Sequence, residues 1–257
     1  MKPAIYLYAV AGIAAGVINL IWLDFATGSQ PIQAFGDHVP GRELYAVVTA
    51  VALIAGGVLI LRPKTEAAGA ATLAIVYGIF AIFWLPRFYW VIHLFGADVQ
   101  RIFGVISGVG EQMILVAAAI AVWAVASPLP RPAALNAARW TFGLSCIGFG
   151  LNHYLSVAAV AALVPTWLPP NPSFWVILTG TGFLLAGIAI LARIYDVPAA
   201  RLLAVQLLVF SALVCLPWIF HAPRGHEAWG GNAYNLTAVG AALILASLAA
   251  RGHRTAQ

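Results

Sequence analysis

Eight apolar runs, each close to the length of a membrane crossing, constrain this chain more than any other feature. They lie at about residues 4–23, 44–61, 69–90, 104–126, 139–158, 173–192, 200–220 and 232–250. A helix needs roughly 20 apolar residues to cross about 30 Å of hydrocarbon, and the backbone must satisfy its own hydrogen bonds there. Charged residues are only 8% of the 257, and hydrophobic ones 63%, against about 25% charged in a soluble domain. The expected fold is all-α: a polytopic transmembrane bundle of eight spans. The run behind Lys2 continues to Leu23, too long for a cleaved leader, so it is expected to remain as the first helix.

The net charge of +5 would point to nucleic acid in a soluble protein, but here the cations sit in short loops between apolar runs. No basic stripe with interleaved aromatics exists to hold nucleic acid. With the N-terminus cytoplasmic, Lys2, Arg62, Lys64, Arg131, Arg139, Arg193, Arg201, Arg251 and Arg254 fall inside, and Arg42, Arg87, Arg101 and Arg224 fall outside. That excess predicts N-in and C-in.

The segment Ser127 to Ala138 (SPLPRPAALNAA) reads as a linker between a first unit, 1–126, and a second, 139–257. With an offset of 130, Thr49 falls on Thr179, Gly57 on Gly187 and Leu61 on Leu191. One residue more places Leu85-Pro86 on Leu216-Pro217 and Trp22 on His153. A tandem repeat of a four-helix unit is expected. Four is even, so the copies would share orientation about an axis along the membrane normal.

This topology gathers chemistry on the outer side. His38, His93, His153, His221 and His226 lie there, as do seven of the nine tryptophans. Glu111 is the one ionisable residue well inside a span, a costly placement that marks function by default. Arg87, Arg101 and His93 are its expected partners. Asn152 and His153 end the fifth span beside the proline-rich turn VPTWLPP, with Trp167 and Trp175. They are expected to wall a pocket offering donors to a quinone carbonyl or another amphipathic ligand, with Asp24 and Asn235 lining the same cavity. His221, His226 and Glu227, near Asp37 and His38, form a weaker motif for a metal, since HExxH spacing is absent. Cys146 and Cys215 fall inside spans at different depths and read as buried thiols. No Walker A, GxGxxG, GxSxG or CxxC is present.

Arg139-Trp140, Gly143, Gly148-Phe149-Gly150, His153, VPTWLPP and then Thr179-Gly180 and Gly187 resemble the core of the DoxX family of bacterial membrane proteins. The resemblance covers residues 139 to 250, with the first half as a degenerate copy. It implies a four-helix bundle per half, a bacterial inner-membrane location and an association with quinone-linked redox systems. Phe183 stands where relatives often carry an acidic residue. The expected function is a membrane subunit or accessory protein of a redox system, with membrane lipids and a redox protein or small apolar ligand as partners and a quinone as cofactor. If catalytic, it would be a quinone-linked oxidoreductase component. The competing expectation, from the repeat and Glu111, is a proton-coupled transporter or channel with its path between the halves.

Overall fold

The computed structural model describes residues 1–30 and 39–255, so Asp37 and His38 lie outside the described residues. Among the described residues the chain is all-helical. The first half holds α1 (Lys2–Trp22), α2 (Arg42–Ile60), α3 (Glu66–Trp84), α4 (Pro86–Phe95) and α5 (Val99–Ala126). The second holds α6 (Pro132–Leu155), the short α7 (Val157–Ala161), α8 (Pro172–Ala192), α9 (Asp196–Phe210), α10 (Leu216–His221) and α11 (His226–Thr255). A π-helical turn, Ser211–Cys215, joins α9 to α10.

Among the described residues seven helices are long and apolar enough to cross a membrane, counting Glu66–Phe95 and Asp196–His221 each as one. This is a multi-pass membrane protein. The expected fifth span is the exception. Its helix, α6, has 24 residues, but Asn136, Arg139, Ser145, Asn152 and His153 lower its hydropathy. The expected linker is also shorter than its composition indicated. The helix starts at Pro132, because a proline is tolerated in the first turn and Ala133 to Ala138 are helix formers.

The long helices close into a ring. In order, α1 contacts α2, α2 contacts α3, α3 contacts α5, α5 contacts α6, α6 contacts α8, α8 contacts α9, α9 contacts α11, and α11 returns to α1. Across the middle, α5 touches α11. Glycines allow the closest approaches. A Cβ on Gly16 would stand 2.7 Å from the Ala50 carbonyl oxygen, and one on Gly57 2.9 Å from that of Ala9. Between α6 and α8, a Cβ on Gly150 would stand 2.8 Å from the Gly180 oxygen and one on Gly187 2.7 Å from that of Gly143. Small residues at such crossings let apolar helices gain dispersion contact where water supplies no drive to associate.

Both proline steps break a helix. Pro86 lacks an N–H and separates α3 from α4. Pro217 follows the π-turn, and Asn235 of α11 donates from Nδ2 to the Leu207 carbonyl and the Ser211 hydroxyl, both at 2.8 Å. The neighbouring helix thus satisfies backbone that the irregular turn leaves exposed.

Candidate functional site

The polar residues converge at the seam between the halves, toward the end away from the termini. Leu23 closes α1 in the left-handed conformation (φ 51°), and the chain then folds back into the bundle as a plug. Phe25, Ala26, Ser29 and Gln30 are all buried. Phe25 meets Phe80 edge-on, with ring centroids 6.1 Å apart.

Both halves hold the plug. Thr27 donates its hydroxyl hydrogen to Glu227 Oε1 at 2.7 Å, and the Gly28 N–H reaches both carboxylate oxygens at 3.1 Å. The buried Gln112 of α5 donates to the Ser29 carbonyl. Asn19 Nδ2 donates to Gln30 Oε1 at 2.9 Å, and the same oxygen accepts from the Ala26 N–H at 3.0 Å. His226 stacks on Trp22 with centroids 5.1 Å apart, and its Nε2–H donates to Asn19 Oδ1 at 3.2 Å.

Glu111 lies beside this plug on α5, half-buried. It makes no hydrogen bond or ion pair with any described residue. Its electrostatic neighbours are Glu227, Tyr234 and Cys215, all from the second half. Three buried polar atoms of the same bundle, Gln112 Oε1, Tyr234 OH and Asn232 Oδ1, have no hydrogen-bond partner among the described residues. Each such atom costs about 1–3 kcal/mol when left unsatisfied, so each is a place for water or a polar ligand group. Tyr234 meets Tyr77 edge-on and Tyr77 meets Tyr8, with centroids 6.2 and 6.3 Å apart, and Tyr8 donates to the Leu115 carbonyl at 2.8 Å.

The partners expected for Glu111 are engaged elsewhere. Arg87 lies over the Trp84 ring at 4.2 Å. Arg101 lies over Phe95 at 3.8 Å and pairs with Asp98 at 3.5 Å. His93 stacks on Tyr89. All three belong to α4 or the first turn of α5, and the break at Pro86 carries them away from the seam.

Around the proline-rich turn, the side chains expected to wall a pocket hydrogen-bond to their own helix and turn. His153 donates from Nδ1 to the Phe149 carbonyl at 2.8 Å and its ring leans on Phe183. Asn152 Oδ1 accepts from Ser156. Trp175 Nε1 donates to the Pro169 carbonyl at 3.0 Å, and Trp167 is 68% exposed. These side chains satisfy their own helix ends and turn. Asp24 is ion-paired with Arg42 at 2.7 and 3.1 Å, while Asn235 serves the π-turn.

The weaker metal motif is likewise dispersed. His221 donates to the Pro217 carbonyl at 2.7 Å, His226 faces Asn19 and Glu227 holds the plug. Among the described residues no group of three His, Cys, Asp or Glu could hold a metal ion. Both cysteines are free and buried.

Two cavities open at opposite ends. One, of about 580 Å³, lies between α4 and α5 and is lined by Trp84, Arg87, Trp90, Phe95 and Arg101. The other, of about 590 Å³, lies at the termini end of the second half. Sequence reading missed Asn19, Gln30, Gln112 and the three tyrosines. The signal available for Gln112 was its place one residue after Glu111 inside an apolar run.

Comparison with family models, with curated proteins and with solved structures finds no match for this chain.

Proposed function

We propose that the chain is a DoxX-like membrane protein of two four-helix repeats, and that its working site is the seam around Glu111, where it couples proton movement to passage of a small solute. The observation that carries this reading is the Glu111 carboxylate between α5 and the second half, which has no hydrogen-bond or ion-pair partner among the described residues. A carboxylate at membrane depth is costly unless it exchanges a proton or meets a ligand. The orphaned hydroxyl of Tyr234, an electrostatic neighbour of Glu111, gives a polar solute a donor and an acceptor beside it.

The glycine crossings support the repeat. An offset of 130 relates Ala50 to Gly180 and Gly57 to Gly187, while an offset of 134 relates Ala9 to Gly143 and Gly16 to Gly150. On that register Asn19, rather than Trp22, falls on His153. The ring order supports it too: α1, α2, α3 and α5 correspond to α6, α8, α9 and α11, and the last helix of each set packs on the first of the other. In this arrangement α6 crosses as an eighth span, both termini are cytoplasmic, and the seam is the pseudo-symmetry axis.

The test is proton flux into proteoliposomes under an imposed pH gradient. Glu111→Gln is expected to cut flux by roughly tenfold or more, as removal of an intramembrane proton carrier should; equal flux would remove Glu111 from the mechanism. A second reading, a redox-linked subunit of the inner membrane that binds a quinone, draws on the aromatic cleft of Trp84 and Trp90. Saturable quenching of tryptophan fluorescence by a menaquinone analogue, lost in Trp90→Ala, would favour it.

A further inference from the structure

The plug at the end away from the termini is fastened at its surface. Thr27 and Glu227 are half-buried and Gly28 is exposed, so the bonds from the Thr27 hydroxyl and the Gly28 N–H to the Glu227 carboxylate lie where water competes for them. The fit is specific. A Cβ on Gly28 would stand 2.8 Å from Glu227 Oε2, and one on Gly230 would meet Ala26, so glycines on both sides leave room for the contact. Leu23, at φ 51°, turns the chain back into the bundle.

Beneath the plug the walls are amides. Asn19 of α1 and Gln112 of α5 are buried, and they donate to Gln30 Oε1 and to the Ser29 carbonyl. Gln112 Oε1 has no hydrogen-bond partner among the described residues. Exchange of protein for water hydrogen bonds is nearly balanced, so these walls tolerate withdrawal of the plug, and Phe25 and Ala26 are its apolar side chains that would lose burial. The scaffold does not require the inward turn. In the second half the connection from α6 to α8 stays at the surface, with Leu163 56% exposed and Trp175 bonded to the turn itself.

We infer that residues 24–30 form a gate over the seam, latched by Glu227 from the second half, and that its release opens the way from this end of the bundle to Glu111. Gln112, which holds the plug, follows Glu111 on α5, and Glu227 is an electrostatic neighbour of Glu111. Latch and acid therefore share one locality. Irregular backbone at membrane depth is tolerated where it is buried in protein or lines a water-filled path, and these are the closed and open positions of the segment. As regulation of passage the inference rests on the seam reading above; as access to position 111 it stands apart from it.

Access is read with a thiol probe. Glu111→Cys in a Cys215→Ser background of the full chain, reconstituted in vesicles, is reacted with a water-soluble methanethiosulfonate, and the native Cys146, fully buried in α6, serves as internal reference. Labelling at position 111 is expected to be slow with the latch intact and to quicken roughly tenfold or more in Gly28→Ala and in Glu227→Ala, as loss of charge-assisted bonds should. Thr27→Ser keeps the hydroxyl and is expected to stay slow, with Cys146 unlabelled throughout. Equal rates at position 111 in the parent and both latch variants, or a matching rise at Cys146, would overturn the gate. Proton flux with Glu111 in place separates the two readings: faster labelling with flux raised in Gly28→Ala supports both, and faster labelling with flux unchanged keeps the gate while removing proton passage from the seam.

Discussion

The two halves cross their first two helices alike but fill the space between them differently. In the first half Tyr8, Tyr77 and Gln112 put hydroxyls and an amide into the centre, and a buried plug seals the end away from the termini. In the second half Phe142 occupies the place of Tyr8 and Cys146 that of Gly12 on the 134-residue register, and Phe149 stacks on Phe183 at 5.2 Å. The openings are reversed as well, since the aromatic cleft of the first half and the basic cavity of the second lie at opposite ends. A glycine-set scaffold tolerates exchange of its filling, because helix approach is fixed by backbone contact. Polar groups can therefore occupy the centre of the first half and the shared seam while aromatic rings fill the corresponding positions of the second.

The largest effect that would sharpen this comparison comes from the crossings. Gly57→Leu and Gly187→Leu should each destabilise by about 1–3 kcal/mol or more through overpacking against backbone, read as a drop in the thermal midpoint of detergent-solubilised protein. A large loss in one and none in the other would break the equivalence of the halves. Next is the plug. Glu227→Ala removes three charge-assisted contacts from Thr27 and Gly28, so hydrogen exchange of the amides in residues 25–30 should rise sharply, at about 1.5–3 kcal/mol for bonds to a charged group. Unchanged protection would mean the plug is held by Phe25 and Gln112 alone.

A smaller contrast separates the two centres. Tyr8→Phe should cost about 1 kcal/mol for the bond to Leu115, measured by chemical unfolding, while Phe142→Tyr should cost more by burying a hydroxyl with no partner. Similar losses in both would contradict the contrast between the two positions. Smallest is the ion pair of Arg42 with Asp24, which is partly exposed. Asp24→Asn should lower stability by about 0–1 kcal/mol, and less at high salt.

Much of this fold was legible in the sequence. Length and hydropathy located the helices, although the apolar runs at 69–90 and 200–220 pass straight through Pro86 and Pro217, where a missing N–H interrupts each helix locally. Asn171 before Pro172 is a helix start of the same kind, its Oδ1 accepting from the Phe174 N–H at 2.9 Å. The site was harder to see. Glu111 stood out alone, but its neighbours come from α11 and the π-turn, more than a hundred residues away, while the nearby arginines are turned aside by the break at Pro86. Glu227 read as a metal ligand beside two histidines, yet its partners are Thr27 and Gly28 at the far end of the chain. His153 and Trp175 looked like pocket walls because a histidine or indole offers donors, and the nearest acceptors proved to be carbonyls of their own helix and turn.

The central claim is that Glu111 carries protons through the seam. Its most direct test is to titrate reconstituted protein with a hydrophobic carbodiimide, measuring modification of Glu111 by peptide mass spectrometry and proton flux on the same samples. The account predicts that flux falls in proportion to the modified fraction of Glu111. Full modification with flux intact, or flux lost while Glu111 stays unmodified, would contradict it.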